Sequence, residues 1–134
     1  MIVADTNLLF YLRVGGQHRD MAEAVFRRDP VWAMPVLWRS EFRNALVNLL
    51  RIRALALDEA IGFARDAETT MTGREYRVFS HQVLSLASRS GCSAYDCEFV
   101  VLAEELSVPL VTSDRGILRA FPQRALSPEA FLRD

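Results

Sequence analysis

The chain has 134 residues, of which 51% are hydrophobic and 25% are charged, a balance typical of a soluble globular protein. We expect a single domain over residues 1–134, because this length can bury a substantial core. No apolar run approaches the roughly 20 residues that span a bilayer, and the N-terminus lacks the pattern of a signal peptide. A cytoplasmic location is therefore predicted.

Net charge is −1, so the molecule as a whole offers no electrostatic attraction to nucleic acid. All 16 residues counted as Lys or Arg are arginine, whose planar guanidinium suits phosphate. The two cysteines, Cys92 and Cys97, belong to no CxxC or Cys/His cluster, which predicts reduced structural thiols and no zinc site.

The residue pattern alternates short apolar strands with amphipathic helices. In chain order it predicts a strand (2–5), two helices (7–12 and 18–29), a strand (31–34), two helices (36–53 and 57–71), a strand (74–79), two helices (80–91 and 93–107), a strand (109–112), a helix (114–121), a strand (124–126) and a helix (127–134). Gly91 is the predicted stop of one helix, and Ser93 is the predicted N-cap of the next. This alternation predicts an α/β fold with a mostly parallel central sheet.

Two of the predicted strands end on an acid, namely Asp5 in "MIVADTN" and Asp114 in "PLVTSD". Open parallel sheets bind ligands beyond the carboxyl ends of their strands, where both carboxylates are expected. Each aspartate also has a purely structural interpretation as the N-cap of the helix that follows it.

Two further acids lie on or near the apolar faces of predicted helices. Asp96 falls within the apolar arc of its helix, although Ser93-x-x-Asp96 also fits a capping box, and the two interpretations are equally favoured. Glu41 lies at the edge of an apolar arc in a polar stripe with Asn44 and Asn48, where a solvated glutamate is the simpler interpretation of that residue alone.

Taken together, four carboxylates that converge at one end of a sheet indicate a divalent cation, because like charges disfavour one another without one. Oxygen ligands of this kind suit magnesium. His18 and His81 are predicted to be surface or packing residues. The chain has no lysine for a receiver domain, and Asn7 replaces the second aspartate of a haloacid-dehalogenase-type phosphatase. No P-loop, GxGxxG or GxSxG motif occurs.

Four blocks resemble the PIN domain in order and spacing, in particular its short form in the VapC toxins of bacterial toxin–antitoxin pairs: "ADTNLLFYL", "SEFRNAL", "SAYDCEFVVLAEEL" and "LVTSDRGIL". The resemblance covers residues 2 to about 131. It implies a three-layer α/β/α PIN-like fold and a Mg²⁺- or Mn²⁺-dependent endoribonuclease that cuts RNA phosphodiester bonds.

The resemblance also implies roles for individual residues. The catalytic, metal-binding quartet would be Asp5, Glu41, Asp96 and Asp114, with Asp5 and Asp96 as the firmest ligands. Asn7 and Thr112 match polar positions that support these acids. Glu98 departs from the small or neutral residue frequent in the family, and its helical position predicts that it faces away from Asp96.

Arginines within or beside the acidic blocks are candidates to hold the RNA backbone, although for each one a solvated helix face is the simpler interpretation. They are Arg13, Arg39, Arg43 and Arg115. The expected partners are an RNA substrate such as tRNA or rRNA, a VapB-like antitoxin and a second copy of the chain, with no membrane association. We place antitoxin docking in a groove between the second and fourth predicted helices.

Two other interpretations remain open. One is a PIN-like nuclease of RNA processing that has no antitoxin. The other is a catalytically silent PIN-like module that binds proteins, which the complete set of four acids disfavours. A metal-dependent small-molecule phosphatase is disfavoured by Asn7.

Overall fold

The computed structural model describes residues 1–133, over which five short strands and eight helices alternate. In chain order they are β1 (Ile2–Ala4), α1 (Thr6–Arg13), α2 (Arg19–Arg28), β2 (Trp32–Pro35), α3 (Trp38–Arg51), α4 (Leu57–Thr70), β3 (Glu75–Tyr76), α5 (Ser80–Ser90), α6 (Ala94–Leu106), β4 (Leu110–Val111), α7 (Arg115–Ala120), β5 (Ala125–Leu126) and α8 (Pro128–Arg133).

The five strands form one parallel sheet in the order β3-β2-β1-β4-β5. Strand β1 is central, pairs with β2 and β4, and is buried at all three residues, which explains its continuous apolar sequence. The chain runs from β1 outward to β3 and then returns to β4 on the other side of β1. This reversal creates a topological switch point between β1 and β4, where α/β proteins bind their ligands.

Helices cover both faces of the sheet. Helix α6 packs directly on β1, β2 and β4, and α5 packs against α6. On the other side α1 contacts α2, α3 and α4, while α8 packs on α2. Because α6 lies between the sheet and α5, it is buried on several faces, including the unbroken run Phe99–Ala103. The predicted three-layer α/β/α architecture with a parallel central sheet is confirmed.

The strands are shorter than the sequence pattern suggested. The predicted strand over 74–79 is reduced to Glu75–Tyr76, and the one over 109–112 to Leu110–Val111. Strand β3 lies at the sheet edge, where only β2 offers hydrogen bonds, and its partners are Met34 and Pro35. Helix α3 begins at Trp38 because Val36 and Leu37 form a turn, and the last residue of the predicted helix over 127–134 lies outside the described residues.

The predicted boundary between α5 and α6 is confirmed. Gly91 ends α5 in the left-handed conformation, with φ 75°, and the Ser93 hydroxyl accepts a hydrogen bond from the backbone N–H of Asp96. No helix in residues 1–133 is long and apolar enough to cross a membrane.

Gly91→Ala is expected to lower the free energy of unfolding by about 1 kcal/mol, because alanine disfavours positive φ while its Cβ would meet no neighbour within 4 Å. Gly62→Ala, in the interior of α4 and equally open, should raise it by up to about 1 kcal/mol through higher helix propensity. Urea unfolding of both variants measures the two effects. Equal changes of the same sign would contradict the conformational explanation.

Candidate active site: a carboxylate cleft

A small cleft of about 120 Å³ lies at the carboxyl ends of β1 and β4. It contains all four acids predicted from the sequence, together with Asn7 and Thr112. The side chains that line it are Asp5, Thr6, Asn7, Glu41, Asp96, Phe99, Thr112, Asp114 and Ile117. The structure therefore brings together acids up to 109 positions apart, from Asp5 after the N-terminal strand to Asp114 before α7.

Asp5 is held at the end of β1 by contacts to both carboxylate oxygens. Its Oδ1 accepts from the backbone N–H of Leu8 at 2.9 Å and so caps α1, and its Oδ2 accepts from the Thr112 hydroxyl at 2.6 Å. The backbone N–H of Asp5 also donates to the Val111 carbonyl at 3.3 Å. The capping interpretation is confirmed, and the same contacts fix the carboxylate at the cleft.

Thr112 links the two strand-end acids. Besides donating to Asp5, its hydroxyl oxygen accepts from the backbone N–H of Asp114 at 3.0 Å. Asp114 in turn caps α7 through Oδ1, which accepts from the Ile117 N–H at 2.8 Å. One buried hydroxyl thus fixes the relative position of acids on neighbouring strands.

Glu41 reaches the cleft from the first turn of α3, where it is half-buried. Its Oε1 accepts a hydrogen bond of 2.6 Å from the hydroxyl of Thr6, the first residue of α1. Sequence reasoning missed Thr6, although a hydroxyl between Asp5 and Asn7 in "ADTN" was a usable signal. Asp96 lies half-buried in the first turn of α6, and Phe99 and Ile117 add apolar walls.

Burial and mutual repulsion raise the pKa of three of these acids. Burial is the main cause of the raised pKa of Asp5, with a smaller contribution from Asp114 that opposes the hydrogen bonds from Thr112 and Leu8. The pKa of Glu41 is raised by burial and then by the charges of Asp96 and Asp5, against the hydrogen bond from Thr6. Burial, followed by the charge of Asp114, raises the pKa of Asp96. The negative charges of neighbouring acids in the cleft therefore act on Asp5, Glu41 and Asp96.

No cationic side chain relieves this repulsion within the cleft, since no arginine or histidine is among the described residues that line it. In residues 1–133 no three His, Cys, Asp or Glu side chains lie close enough together to form a ready-made metal cluster. A donor set of separated carboxylates suits a hard cation that keeps much of its water and takes one or two carboxylates directly, and it does not suit zinc.

The arginines expected near the acids have different surroundings. Arg39 binds Glu75 through Nε and Nη2 at 2.6 and 2.9 Å, and Arg43 lies 3.9 Å from Glu68. Arg13 donates to the Thr70 hydroxyl at 2.8 Å.

Arg115 is exposed beside Asp114, and it has no side-chain partner within the described part of the chain. Arg39 therefore has a clear structural role, whereas Arg115 does not line the cleft and is the one of the four that contacts no side chain among the described residues.

Glu98 does not line the cleft. It lies in a neighbouring groove with Val36 and Tyr76, where burial raises its pKa. Its negative charge nevertheless contributes to the raised pKa of Glu41, so Glu98 lies outside the cleft but close enough to act on one of its acids.

The fold has relatives among solved structures, whereas no family model and no curated protein matches the chain. The crystal structure of PAE2754 from Pyrobaculum aerophilum superposes with a TM-score of 0.77 at 22% identity, covering 98% of this chain and 86% of that chain. A chain of a toxin–antitoxin complex from Klebsiella pneumoniae superposes with a TM-score of 0.69 at 16% identity, covering 96% of this chain and 98% of that chain. At these identities the likeness shows a shared fold.

The raised pKa of Glu41 predicts a specific pH dependence of stability. The folded state binds the Glu41 proton more tightly than the unfolded state, so this group stabilises the protein fully at low pH, and the contribution is lost as pH rises through the ordinary and then the raised pKa. Glu41→Gln removes the charge and keeps an acceptor for Thr6. In EDTA, the variant should therefore gain stability relative to the unsubstituted protein between pH 4 and pH 7.

Urea unfolding at several pH values measures this difference. Glu105→Gln, on the exposed side of α6, controls for the loss of a negative charge elsewhere. The account would be contradicted if the free energy of unfolding of Glu41→Gln, relative to that of the unsubstituted protein, stayed constant or fell as pH rises.

Proposed function

We propose that this protein is a metal-dependent endoribonuclease that acts as the toxin of a toxin–antitoxin pair. The observation that carries the proposal is the convergence of Asp5, Glu41, Asp96 and Asp114 on one cleft at the switch point of the sheet. The pKa values of the first three are raised, and no cationic side chain is among the described residues that line the cleft. The PIN-domain resemblance of the four sequence blocks and the fold shared with a chain of a toxin–antitoxin complex support the same function.

The size of the cleft favours a polymeric substrate. Sites for small molecules commonly measure about 300–1,000 Å³, whereas this cleft measures about 120 Å³ and is too small to enclose a ligand of that class. The sugar and base on each side of the phosphate would then lie outside the cleft. This arrangement fits cleavage within an RNA strand better than hydrolysis of a small phosphate ester.

Each side chain has a role in this chemistry. A Mg²⁺ or Mn²⁺ ion, when bound, supplies a bound water of lowered pKa and stabilises charge on phosphate oxygens. Asp5, fixed at both oxygens, and Asp96 would bind the ion, with Asp114 and Glu41 holding its water molecules in place. Phe99 and Ile117 form apolar walls of the cleft, where water finds no hydrogen-bond partner. Arg115 would contact a phosphate adjacent to the one that is cut.

An antitoxin partner is part of the proposal, and the structure suggests a docking surface different from the groove that we expected between α2 and α4. A mostly apolar groove lies between α3 and α4, lined by Leu46, Leu50, Ile61 and Ala64 with Arg43 and Arg65 at its rim. A homodimer and a tRNA or rRNA substrate rest on the family resemblance alone.

Cleavage of total cellular RNA tests the activity. The antitoxin-free protein should produce discrete cuts only with Mg²⁺ or Mn²⁺, and Asp5→Asn and Asp96→Asn should each slow cleavage at least ~100-fold, because each removes a direct ligand. Mapping the cut ends identifies the substrate, and Glu105→Gln should cut at the normal rate. If a folded Asp96→Asn variant retained full activity, or if EDTA had no effect, the proposal would fail.

Arg115 and Arg39 should respond differently to the loss of charge. Arg115→Gln should weaken RNA binding and reduce the slope of log affinity against log salt by about 1, as expected for one lost phosphate contact. Arg39→Gln should instead mainly lower stability. Glu75 now accepts three hydrogen bonds, two from Arg39 and one from the Trp38 indole N–H, and the substitution removes the two from Arg39. RNA affinity is measured at several salt concentrations with each variant combined with Asp96→Asn, so that the RNA is not cut. Urea unfolding measures the stability of the same variants. The opposite pattern would reverse the two roles.

A further inference from the structure

Buried polar side chains are rare in this protein and are found at one place. Within residues 1–133 they are Thr6, which is 7% exposed, and Thr112, which is 1% exposed. Each donates its hydroxyl proton to a carboxylate of the cleft at 2.6 Å, Thr6 to Glu41 and Thr112 to Asp5. Hydrogen bonds of this length to an ionised acceptor are among the stronger ones in proteins.

Thr6 is well suited to control where Glu41 points. It is the first residue of α1 and follows Asp5, whose contacts fix the start of that helix. Helix α1 packs against α3, which carries Glu41. Threonine is β-branched, so its χ1 is largely limited to two rotamers in a helix, and the hydrogen bond to Glu41 is made in one of them.

Glu41 needs such a partner because its surroundings push it away from the cleft. Its carboxylate faces the negative charges of Asp96 and Asp5, and a glutamate side chain has enough freedom to turn toward solvent. The hydrogen bond occupies Oε1, and Oε2 accepts no hydrogen bond from the described residues. Contacts that orient metal ligands in this way commonly change metal affinity by 10–100-fold.

We propose that Thr6 is a positioning residue that holds the Glu41 carboxylate toward a divalent cation in the cleft, an inference that rests on the proposed function. The Thr6 hydroxyl has one proton and donates it to Glu41, so in this role Thr6 acts through Glu41. Its contribution must therefore disappear when residue 41 no longer carries a carboxylate that can hold the water molecules of the cation.

A double-mutant cycle on Mn²⁺ affinity tests this inference, with the free ion followed by electron paramagnetic resonance. Thr6→Val keeps the shape and removes the hydroxyl, and should weaken Mn²⁺ binding about tenfold. Thr6→Ser restores the hydroxyl and should bind Mn²⁺ nearly as well as the unsubstituted protein. In a Glu41→Gln background, Thr6→Val should cause no further loss, which shows that the two residues act together.

Two controls separate positioning from a general loss of structure. Thr72→Val removes an exposed hydroxyl that donates to a backbone carbonyl in the last turn of α4, and it should leave Mn²⁺ affinity unchanged. The melting temperature in EDTA reports any loss of folding, and Thr6→Ala replaces Thr6→Val in the cycle if the valine variant does not fold. With an RNA substrate at saturating Mn²⁺, Thr6→Val should lower kcat more than it changes KM.

The possible results are distinguishable. Additive losses from Thr6→Val and Glu41→Gln, or normal Mn²⁺ affinity in folded Thr6→Val, would overturn the positioning role and leave the proposed nuclease intact. Failure of the unsubstituted protein to bind Mn²⁺ at all would overturn the proposed function and this inference together.

Discussion

The repulsion among carboxylates at one end of the sheet is the constraint on which the rest of this structure depends. Burial and neighbouring negative charges raise the pKa values of Asp5, Glu41 and Asp96, so the cleft is electrostatically unfavourable when its acids are ionised. Short hydrogen bonds from Thr6, Thr112 and the N–H groups at helix starts hold the acids in place nevertheless. In the proposed function, a divalent cation would relieve this repulsion.

The fold supplies the geometry that keeps the acids together. Parallel pairing of β1 with β4 places Asp5 and Asp114 at adjacent strand ends, and Thr112 connects them through one hydroxyl. Helices α3 and α6 bring Glu41 and Asp96 to the same edge. Glu75 helps to fix α3, because its carboxylate accepts from the indole N–H of Trp38 and from the guanidinium of Arg39. The arginine closest in sequence to Glu41 on its N-terminal side thus supports the scaffold.

The sheet and the acids of the cleft could be predicted from the sequence, whereas strand lengths and the contacts that hold the acids could not. The alternation of strands and helices predicted the parallel sheet, and the apolar strands that end on Asp5 and Asp114 predicted the strand-end acids, since burial and capping are local properties. Strand lengths were overestimated at β3 and β4, where pairing depends on neighbouring strands that the local sequence does not reveal. Thr6 was missed because its importance arises from a contact with Glu41, 35 positions away. The ion pairs of Arg39 depend likewise on β3 and α4, which only the folded chain places beside it.

The free energy of unfolding in Mn²⁺, compared with that in EDTA at pH 7, tests the central claim most directly. A cation that binds the folded cleft should stabilise the protein by about 2.7 kcal/mol at 100 times its dissociation constant, whereas a monovalent salt of equal ionic strength should not. The added stability should be absent in Asp96→Asn. If Mn²⁺ stabilised the protein no more than the monovalent salt, or stabilised Asp96→Asn equally, the carboxylate cleft would not be a cation site and the account would be contradicted.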